Sequence, residues 1–248
     1  MALTRIQPSV DLHCHLLPGV DDGAQDLDDA IAMGCQAELD GIAAICATPH
    51  IRWDHAVRIP ELSQRRDQIS QAFREVRCAT KVLQGGEVAA SALGGLDDSE
   101  LARVSLGDGG RWILLEPDPG PLDDRLDRVV LRLGERGYRA VIAHPERHLG
   151  PDLLARLERL VGEGALVQAT AAFLTWDETR GGMLELARAG MIHVLGSDAH
   201  SSRAGRPVAI TAALDVLGSV ERTAAHLNWI ARAAPEAIVA GRELTPPF

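Results

Sequence analysis

The sequence predicts a single-domain α/β fold in which a parallel sheet is covered by helices. Short apolar runs rich in Val, Ile and Leu alternate with segments of helical periodicity. The runs are too continuously apolar to belong to a half-exposed sheet. No Pro-, Gly- or Ser-rich linker divides the 248 residues, which can bury one large core. Periodicity alone leaves open whether the sheet closes into a barrel or stays open and doubly wound.

Seven apolar runs are predicted to be strands. Each is short and bounded by turn residues or by the start of a helical pattern. The predicted strands are residues 10–13, 42–48, 81–87, 112–116, 140–144, 166–170 and 192–197.

The segments between the strands carry helical stripes and helix end signals. Apolar residues recur at helical spacing in two stripes, Leu122, Leu126, Val129, Val130, Leu133 and then Leu153, Leu157, Leu160, Val161. Asp26 and Asp152 are predicted helix N-caps. Glycines stand where four helices are expected to stop, at Gly41, Gly137, Gly164 and Gly190.

Charge and composition exclude several classes of partner. Lys and Arg total 25 against 35 Asp and Glu, a net charge of -10, and no long basic run offers a footprint for nucleic acid. No stretch of about 18 apolar residues could span a membrane, and residues 1–12 lack the apolar centre of a signal peptide. Four cysteines show no C-x-x-C spacing. We therefore expect a cytoplasmic protein with reduced thiols and no insertion into the membrane.

Histidines and carboxylates cluster at the carboxyl ends of the predicted strands. In a parallel barrel those ends converge on one face, where such folds carry their chemistry. In the H-x-H of "DLHCH", alternation along an extended chain sends both imidazoles to the same side. With the aspartate of "VDDG", nine side chains form the predicted metal site: His13, His15, Asp22, His50, Glu87, Glu116, His144, Asp198 and His200.

The donor set predicts both the type and the number of ions. Imidazole nitrogens and carboxylate oxygens together suit divalent Mn, Fe or Zn. Nine side chains exceed what a single ion can use, and carboxylates can bridge ions, so we expect two or three metals. Of the other histidines, His193, His226 and His148 are expected to be structural or on loops, and His55 alone could approach the site.

A second phosphatase pattern lies in "CATPHIR", where Cys46 and Arg52 have the C-x5-R spacing of cysteine-dependent phosphatases. That loop requires successive backbone N–H groups around a phosphate and a thiol of lowered pKa. Pro49 removes one donor, no glycine lies between the two residues, and Cys46 belongs to an apolar strand. We therefore do not expect a thiolate nucleophile here.

The motifs as a set resemble those of a known superfamily. "DLHCHLLPGVDDG", "CATPHIR", "GGEV", "WILLEP", "AHPERH" and "GSDAHSSRAGRP" occur in this order between about residues 10 and 216. They are similar to the PHP (polymerase and histidinol phosphatase) superfamily, and most similar to its capsule-type bacterial protein tyrosine phosphatases. The last 30 or so residues match none of its motifs.

The resemblance implies a distorted, TIM-like (β/α)7 barrel over residues 1–248 and three divalent ions, often manganese. By motif position, Asp22 rather than Asp21 of "DDG" matches the ligand, and Asp21 supports the turn. The first ion would be held by His13, His15, Glu87 and Asp198, the second by Glu87, Glu116 and His144, and the third by Asp22, His50 and His200.

The same comparison implies two phosphate-binding arginines, Arg147 of "HPER" and Arg206 of "GRP", with Arg203 as a competitor for Arg206. A planar guanidinium suits phosphate better than an ammonium does. The expected reaction is attack of a metal-bound hydroxide on a phosphomonoester. Either Asp198 or a metal-bound water would donate the proton to the leaving group.

The resemblance implies a phosphotyrosine protein as substrate, the tyrosine-rich tail of a bacterial tyrosine kinase that controls polysaccharide export. The sequence departs from the family pattern beside the pocket, with Ile51 after His50, "TAAFL", and "EPDPG" after the fourth strand. Two alternatives stay open: a phosphatase of a small metabolite such as histidinol phosphate, and a catalytically silent binding module. An oligomer is also compatible with the sequence.

Overall fold

A curled parallel sheet with helices on its outer face makes up residues 8–248, the part of the chain described by this computed structural model. Residues 1–7, on which part of the signal-peptide prediction falls, lie outside the described residues. All strand pairs are parallel, and they form one sheet of three strands and one of six.

Every predicted strand run overlaps a strand of the structure. In chain order these are β1 (Val10–Cys14), β2 (Ala44–Ala47), β3 (His50–Ile51), β4 (Lys81–Leu83), β5 (Glu87–Ala89), β6 (Trp112–Glu116), β7 (Arg139–Ile142), β8 (Leu166–Thr170) and β9 (Val194–Gly196). The sheet orders are β1-β2-β4 and β3-β5-β6-β7-β8-β9. Beyond β9, Asp198 N donates to His13 O at 2.7 Å and Cys14 bridges to Ala199 in parallel, so the two edges meet.

Two of the predicted strands are interrupted. The run 42–48 ends early and pairing resumes after Pro49, which has no N–H for a ladder. The run 81–87 breaks at Gly85 and Gly86, where added Cβ atoms would lie 2.8 Å from Thr48 Cγ2 and from Val104 Cβ. These breaks let β3 and β5 pair with each other, with His50 opposite Glu87.

Ten α-helices of the described chain lie between and after the strands. They are α1 (Leu27–Asp40), α2 (Leu62–Val76), α3 (Asp98–Val104), α4 (Asp124–Glu135), α5 (Leu153–Gly162), α6 (Ala171–Thr175), α7 (Asp177–Ala189), α8 (Thr211–Leu217), α9 (Glu221–Ala224) and α10 (Ala234–Val239). Within residues 8–248, no helix is both long and apolar enough to cross a bilayer.

The predicted helix ends are confirmed with one correction. Asp26 caps α1 by accepting from Asp29 N, and glycines with positive φ stand at or just after the ends of α1, α4, α5 and α7. Asp152 precedes α5, but its own backbone is helical (φ -95°, ψ -8°) and its side chain makes no capping bond. The prediction of a side-chain cap was wrong there, because a capping residue needs extended backbone to reach the N2 or N3 amide.

The core has two parts, one on each face of the sheet. Alternate residues divide between them: Ile113 and Leu115 of β6 face the helices, and Trp112 and Leu114 face the inside of the curl. The inner cluster gathers at the amino ends of the strands and includes Ala234 and Ile238 of α10, so that helix covers this end. The carboxyl ends remain for the polar residues.

Candidate metal centre

The end of β1 positions two imidazoles against each other. The ring of His13 bonds through Nδ1 to Gln168 Oε1 at 2.9 Å, and that of His15 through Nδ1 to Asp21 Oδ2 at 2.8 Å. When each ring is neutral and donates through Nδ1, both Nε2 atoms carry lone pairs, and these two atoms lie 3.3 Å apart. Two opposed lone pairs repel, and a cation bound between them would remove that repulsion.

The segment after β9 is locked to β1 and brings two further donors. Asp11 Oδ1 accepts from both His13 N at 3.1 Å and Ser197 N at 2.9 Å. Asp198 and His200 follow at once on this segment. The carboxylate of Asp198 lies 3.4 Å from His13 Nε2. The pairing of β1 with β2 is also irregular here, because its register shifts between Asp11 and Cys14.

Two of the candidate ligands have left-handed backbone. His144 has φ 57° and Asp198 has φ 51°, and Arg77 is the one other non-glycine residue among those described with positive φ. This conformation is uncommon for residues with a Cβ and is found at functional sites where neighbouring structure enforces it. At His144 it ends β7 and turns the imidazole toward Glu87.

Glu87 lies at the centre of the cluster and is fully buried. Its Oε1 is 2.8 Å from His144 Nε2 and 3.4 Å from His13 Nε2. Its Oε2 is 2.9 Å from His50 Nδ1 and 3.4 Å from His15 Nε2. A carboxylate with imidazoles on both oxygens has the arrangement expected of a ligand that bridges two ions.

The outer part of the cluster opens to solvent. Asp22 Oδ1 is 3.4 Å from His50 Nε2 and 3.5 Å from His200 Nε2, and its side chain is 58% exposed. The rings of His15 and His200 stack with centroids 3.9 Å apart. This edge is where a substrate would reach the site.

The structure brings all nine predicted ligands together. The candidate ligand atoms form four overlapping groups, and within each group all of these atoms lie within 4.8 Å of one another. The groups are His15, Asp22, His50 and His200; His13, His144 and Asp198; His13, His15 and Glu87; and His50, Glu87 and Glu116. The predicted division among three ions differs in detail, since His50 is grouped with Glu116 here and His144 with Asp198. That division stays a prediction.

Unsatisfied atoms in the cluster fit a bound cation. Four buried atoms have no hydrogen-bond partner of proper geometry, namely His50 Nδ1, Glu87 Oε2 and both carboxylate oxygens of Asp198. Buried polar atoms are normally satisfied, and orphaned carboxylate and imidazole atoms that point at one another mark an absent ligand. Such a mixed N and O donor set suits Mn, Fe or Zn.

The electrostatics of the cluster agree with this fit. Burial alone would raise the pKa of Glu87, but the nearby imidazoles of His13, His144 and His15 hold it well below its usual range. Burial lowers the pKa of His144, yet Glu146, Glu87 and Asp198 outweigh it and raise that pKa to about 9. Without another cation, the carboxylates favour the protonated forms of His15 and His144, and metals would displace those protons.

Asp198 is held ionised. Burial would raise its pKa, but the imidazoles of His13, His15 and His144 outweigh the burial and lower it well below the usual range. An ionised carboxylate at neutral pH favours the role of ligand over that of proton donor.

Three arginines converge on the cluster. Arg147 Nη1 is 2.8 Å from Glu116 Oε1, and Arg206 Nη2 is 2.8 Å from Asp198 Oδ2. Arg52 Nη1 approaches the second oxygen of Glu116 at 3.4 Å. Arg203 instead pairs with Asp26.

Several contacting residues were missed by the sequence reasoning. Gln168 orients His13, Glu146 accepts from or donates to the ring of His144 at 3.2 Å, and Arg52 contacts Glu116. Asp21 was assigned to the turn, where its Oδ1 accepts from Gly23 N, but its Oδ2 also holds His15. Gln168 could have been recognised in the sequence, because it is a single amide residue between apolar neighbours in a predicted strand.

The alternative nucleophile and the other histidines lie as expected. Cys46 is fully buried, and burial raises the pKa of its thiol, which is the opposite of what a nucleophile needs. His55 approaches the site, with its ring 4.8 Å from that of His50. His193 is buried away from the site, where Nδ1 accepts from Val167 N and the ring stacks on Phe248.

Comparison with known proteins identifies the family. Residues 9–238 match the family model described as capsular polysaccharide synthesis, CpsB/CapC. This chain belongs to the CpsB/CapC family. The predicted resemblance to the capsule-type branch is thereby confirmed.

Two curated relatives of this CpsB/CapC chain carry phosphatase names. It is 33% identical over 203 residues to the tyrosine-protein phosphatase YwqE of Bacillus subtilis (strain 168), covering 77% of each protein. It is 27% identical over 199 residues to CapC of Staphylococcus aureus, named as a candidate tyrosine-protein phosphatase, again over 77% of each.

A solved structure agrees in fold over nearly the whole chain. It comes from work on YwqE from Bacillus subtilis and CpsB from Streptococcus pneumoniae, described as unique metal-dependent tyrosine phosphatases. The TM-score is 0.78 at 28% identity, covering 94% of this chain and 95% of the other.

Proposed function

We propose that this chain is a metal-dependent protein tyrosine phosphatase that hydrolyses phosphotyrosine and acts in the regulation of capsular or exopolysaccharide synthesis. The observation that carries the proposal is the buried cluster of imidazoles and carboxylates whose facing atoms lack partners. The names of its relatives supply the reaction class and the leaving group.

The proposed cofactor is three divalent ions, with manganese as the first candidate and iron or zinc as alternatives. In the division that the family resemblance implies, the ligands would be His13, His15, Glu87 and Asp198 for the first, Glu87, Glu116 and His144 for the second, and Asp22, His50 and His200 for the third. When bound, such ions supply a hydrolytic nucleophile at neutral pH and neutralise phosphoryl charge.

The chain's own residues would bind and orient the phosphate. Arg147 and Arg206 carry guanidinium groups that already face carboxylates of the cluster and are partly exposed, at 43% and 21% of their side chains. An arriving phosphate would exchange these contacts for bidentate ones. Arg52 is placed to do the same from the opposite side of Glu116. Fixed positive groups around the phosphate stabilise charge that develops on its oxygens.

The experiment is metal analysis followed by a phosphatase assay. We expect at least two ions per chain after loading, and manganese-stimulated release of phosphate from a phosphotyrosine peptide. Fewer than two ions, or no stimulated release, would contradict the enzyme proposal and favour a silent binding module. A preference for histidinol phosphate over the peptide in the same assay would favour the small-metabolite alternative.

The proposed function also includes the domain organisation, the cellular location and the protein substrate of the chain. We propose that residues 1–248 form one phosphoesterase domain and that the interrupted strands combine into a distorted seven-stranded barrel, supported by the bridge between Cys14 and Ala199. We also propose a cytoplasmic location, supported by four cysteines that all stay unpaired. The tyrosine-rich tail of a bacterial tyrosine kinase is the proposed protein substrate.

A further inference from the structure

We propose that an arginine-lined groove beside the metal centre binds the acidic residues that flank the phosphotyrosine of a protein substrate. The proposal rests on the proposed phosphatase function and adds a substrate class: phosphopeptides of acidic sequence. We call the surface the α4 groove and define it by Arg125, Arg128 and Arg132 of α4 together with Ala90 and Asp118.

The three arginines lie on one side of α4. Their spacing of three and then four residues places them along a single helix face. All three are exposed, and none of their guanidinium groups forms an ion pair or hydrogen bond within residues 8–248. They line a depression of about 210 Å³.

Two of the three acidic residues of the same helix are used elsewhere. Asp124 and Asp127 pair with Arg156 of α5, and Asp127 also pairs with Arg159. The carboxylates of Asp124 and Asp127 therefore face α5 and are neutralised there, whereas the three arginines face the groove without partners. In a chain of net charge -10, a groove lined by three arginines and by the single carboxylate of Asp118 carries an excess of positive charge that is complementary to an acidic ligand.

Two further depressions join the α4 groove through shared lining residues and lead toward Arg147. A second depression shares Ala90, Asp118 and Arg125 with it and is walled by Pro119 and Pro121. A third, of about 420 Å³, shares Pro121 with the second and reaches Arg147.

The far end of this path is a phosphate-binding position in the proposed function. Arg147 contacts Glu116, and Ala90 N donates to Glu116 O at 2.8 Å. A phosphotyrosine held at Arg147 would therefore have its neighbouring residues along the depressions. Their lining also includes Leu122 and Leu149, which offer apolar contact between the charged ends.

The chemistry of the occupant follows from these two ends. An extended polypeptide can cover a run of connected depressions and place carboxylates against the arginines, which a small phosphate ester cannot do. The pairs would be solvent-exposed, so each contributes modestly and the sum is screened by salt. We expect the effect mainly on KM, since the arginines do not touch the reacting phosphate.

The test uses the full chain loaded with manganese. The variant Arg125→Glu/Arg128→Glu/Arg132→Glu is compared with the native protein on two phosphotyrosine peptides, one flanked by Asp and Glu and one by Ser and Gly. We expect the native protein to have the lower KM for the acidic peptide. In the variant that KM should rise about tenfold at low salt, with p-nitrophenyl phosphate turnover unchanged.

A matched control changes the same total charge away from the groove. Arg65→Glu/Arg74→Glu/Arg188→Glu alters three exposed arginines on α2 and α7. Equal KM values for the two peptides in the native protein, or the same loss in the control as in the groove variant, would overturn the proposal. If the charge-reversal variant does not fold, the corresponding three Arg→Gln changes should give a smaller rise in KM.

Binding without turnover separates this proposal from the proposed function. Anisotropy of a fluorescent acidic peptide that carries a phosphonate in place of the phosphate reports the groove directly. Preferential binding that is lost in the groove variant, combined with no hydrolysis of any phosphate ester, would support the groove and contradict the phosphatase. Hydrolysis of both peptides with equal binding would support the phosphatase and contradict the groove.

Discussion

Single residues behind the candidate ligands set the orientation of the imidazoles. Asp21 has both carboxylate oxygens occupied, one by Gly23 N and the other by the ring of His15 and by His50 N. Burial would raise the pKa of Asp21, but these bonds outweigh it and lower that pKa to about 2. It therefore acts as a permanent anion that keeps the proton of His15 on Nδ1 and leaves Nε2 free for a cation.

Replacement of Asp21 by Asn should weaken metal binding. The amide can still accept from the ring, but it removes the charge that fixes the tautomer, and we expect a loss of about 10- to 100-fold in metal affinity. Metal titration of the purified variant measures it, with turnover as a second readout. Asp28→Asn, an exposed aspartate of α1, is the matched control. An unchanged affinity in Asp21→Asn would mean that the contact with His15 is incidental.

At the scale of elements, the loop after β9 is fixed to the first turn of α1. Asp29 is fully buried and accepts from Ser201 Oγ, Ser202 N, Ser202 Oγ and Gln25 N. This loop carries His200 at one end and Arg206 at the other. Asp29 of α1 thus positions a loop that carries two proposed site residues. The loop is distant in sequence, since Asp29 and Ser202 are 173 positions apart.

Removal of this anchor should destabilise the loop and shift acid stability. Asp29→Ala leaves buried donors without an acceptor, at a cost of about 1–3 kcal/mol in the free energy of unfolding. Burial would raise the pKa of Asp29, but bonds from Ser202, Gln25 and Ser201 outweigh it and lower that pKa from 3.8 to about 2. Because the folded pKa is depressed, this stabilisation is present above about pH 5 and is lost as pH falls through 3.8 toward 2.

Denaturant unfolding at pH 7 and at pH 3 measures both effects. The free energy of unfolding of Asp29→Asn should fall less between pH 7 and pH 3 than that of the native protein, because the contribution of the Asp29 carboxylate is missing. Asp28→Asn should show the same fall as the native protein. If Asp29→Asn and the native protein lose stability in parallel between these pH values, the carboxylate does not anchor the loop as an anion.

At the scale of the molecule, the two ends of the sheet have opposite roles. The amino ends are closed by apolar packing of Ala234 and Ile238. The carboxyl ends hold buried carboxylates and imidazoles with unsatisfied atoms, an arrangement that costs free energy unless cations compensate it. The folded state should therefore bind metal far better than the unfolded chain does.

Manganese should raise the thermal stability of the whole molecule. A ligand that binds only the folded state at 100 times its Kd adds about 2.7 kcal/mol. Thermal unfolding with manganese and after chelation should show a clear difference in Tm. In Asp22→Ala the difference should shrink, because one candidate ligand is lost. No change in Tm with manganese in the native protein would contradict a metal site of this size.

The sequence by itself determined the α/β fold class, the approximate positions of seven strand runs and the nine candidate ligands, but it missed the short strand at His50–Ile51. It could do so because parallel strands place their carboxyl ends at one face, so residues at strand ends are neighbours whatever the details of packing. The motifs then predicted membership of a family of tyrosine phosphatases, and the comparisons confirmed that family. Local signals also gave most helix ends, since caps depend on nearby residues.

Only the tertiary structure decided the contacts between distant segments. Gln168 against His13, Asp29 against the loop after β9, and Arg52 against Glu116 join residues without any shared local pattern. The different partners of Arg203 and Arg206, which are Asp26 and Asp198, also became visible only in the fold. Side-chain pairing across the molecule depends on packing geometry, and no periodicity in the sequence encodes it.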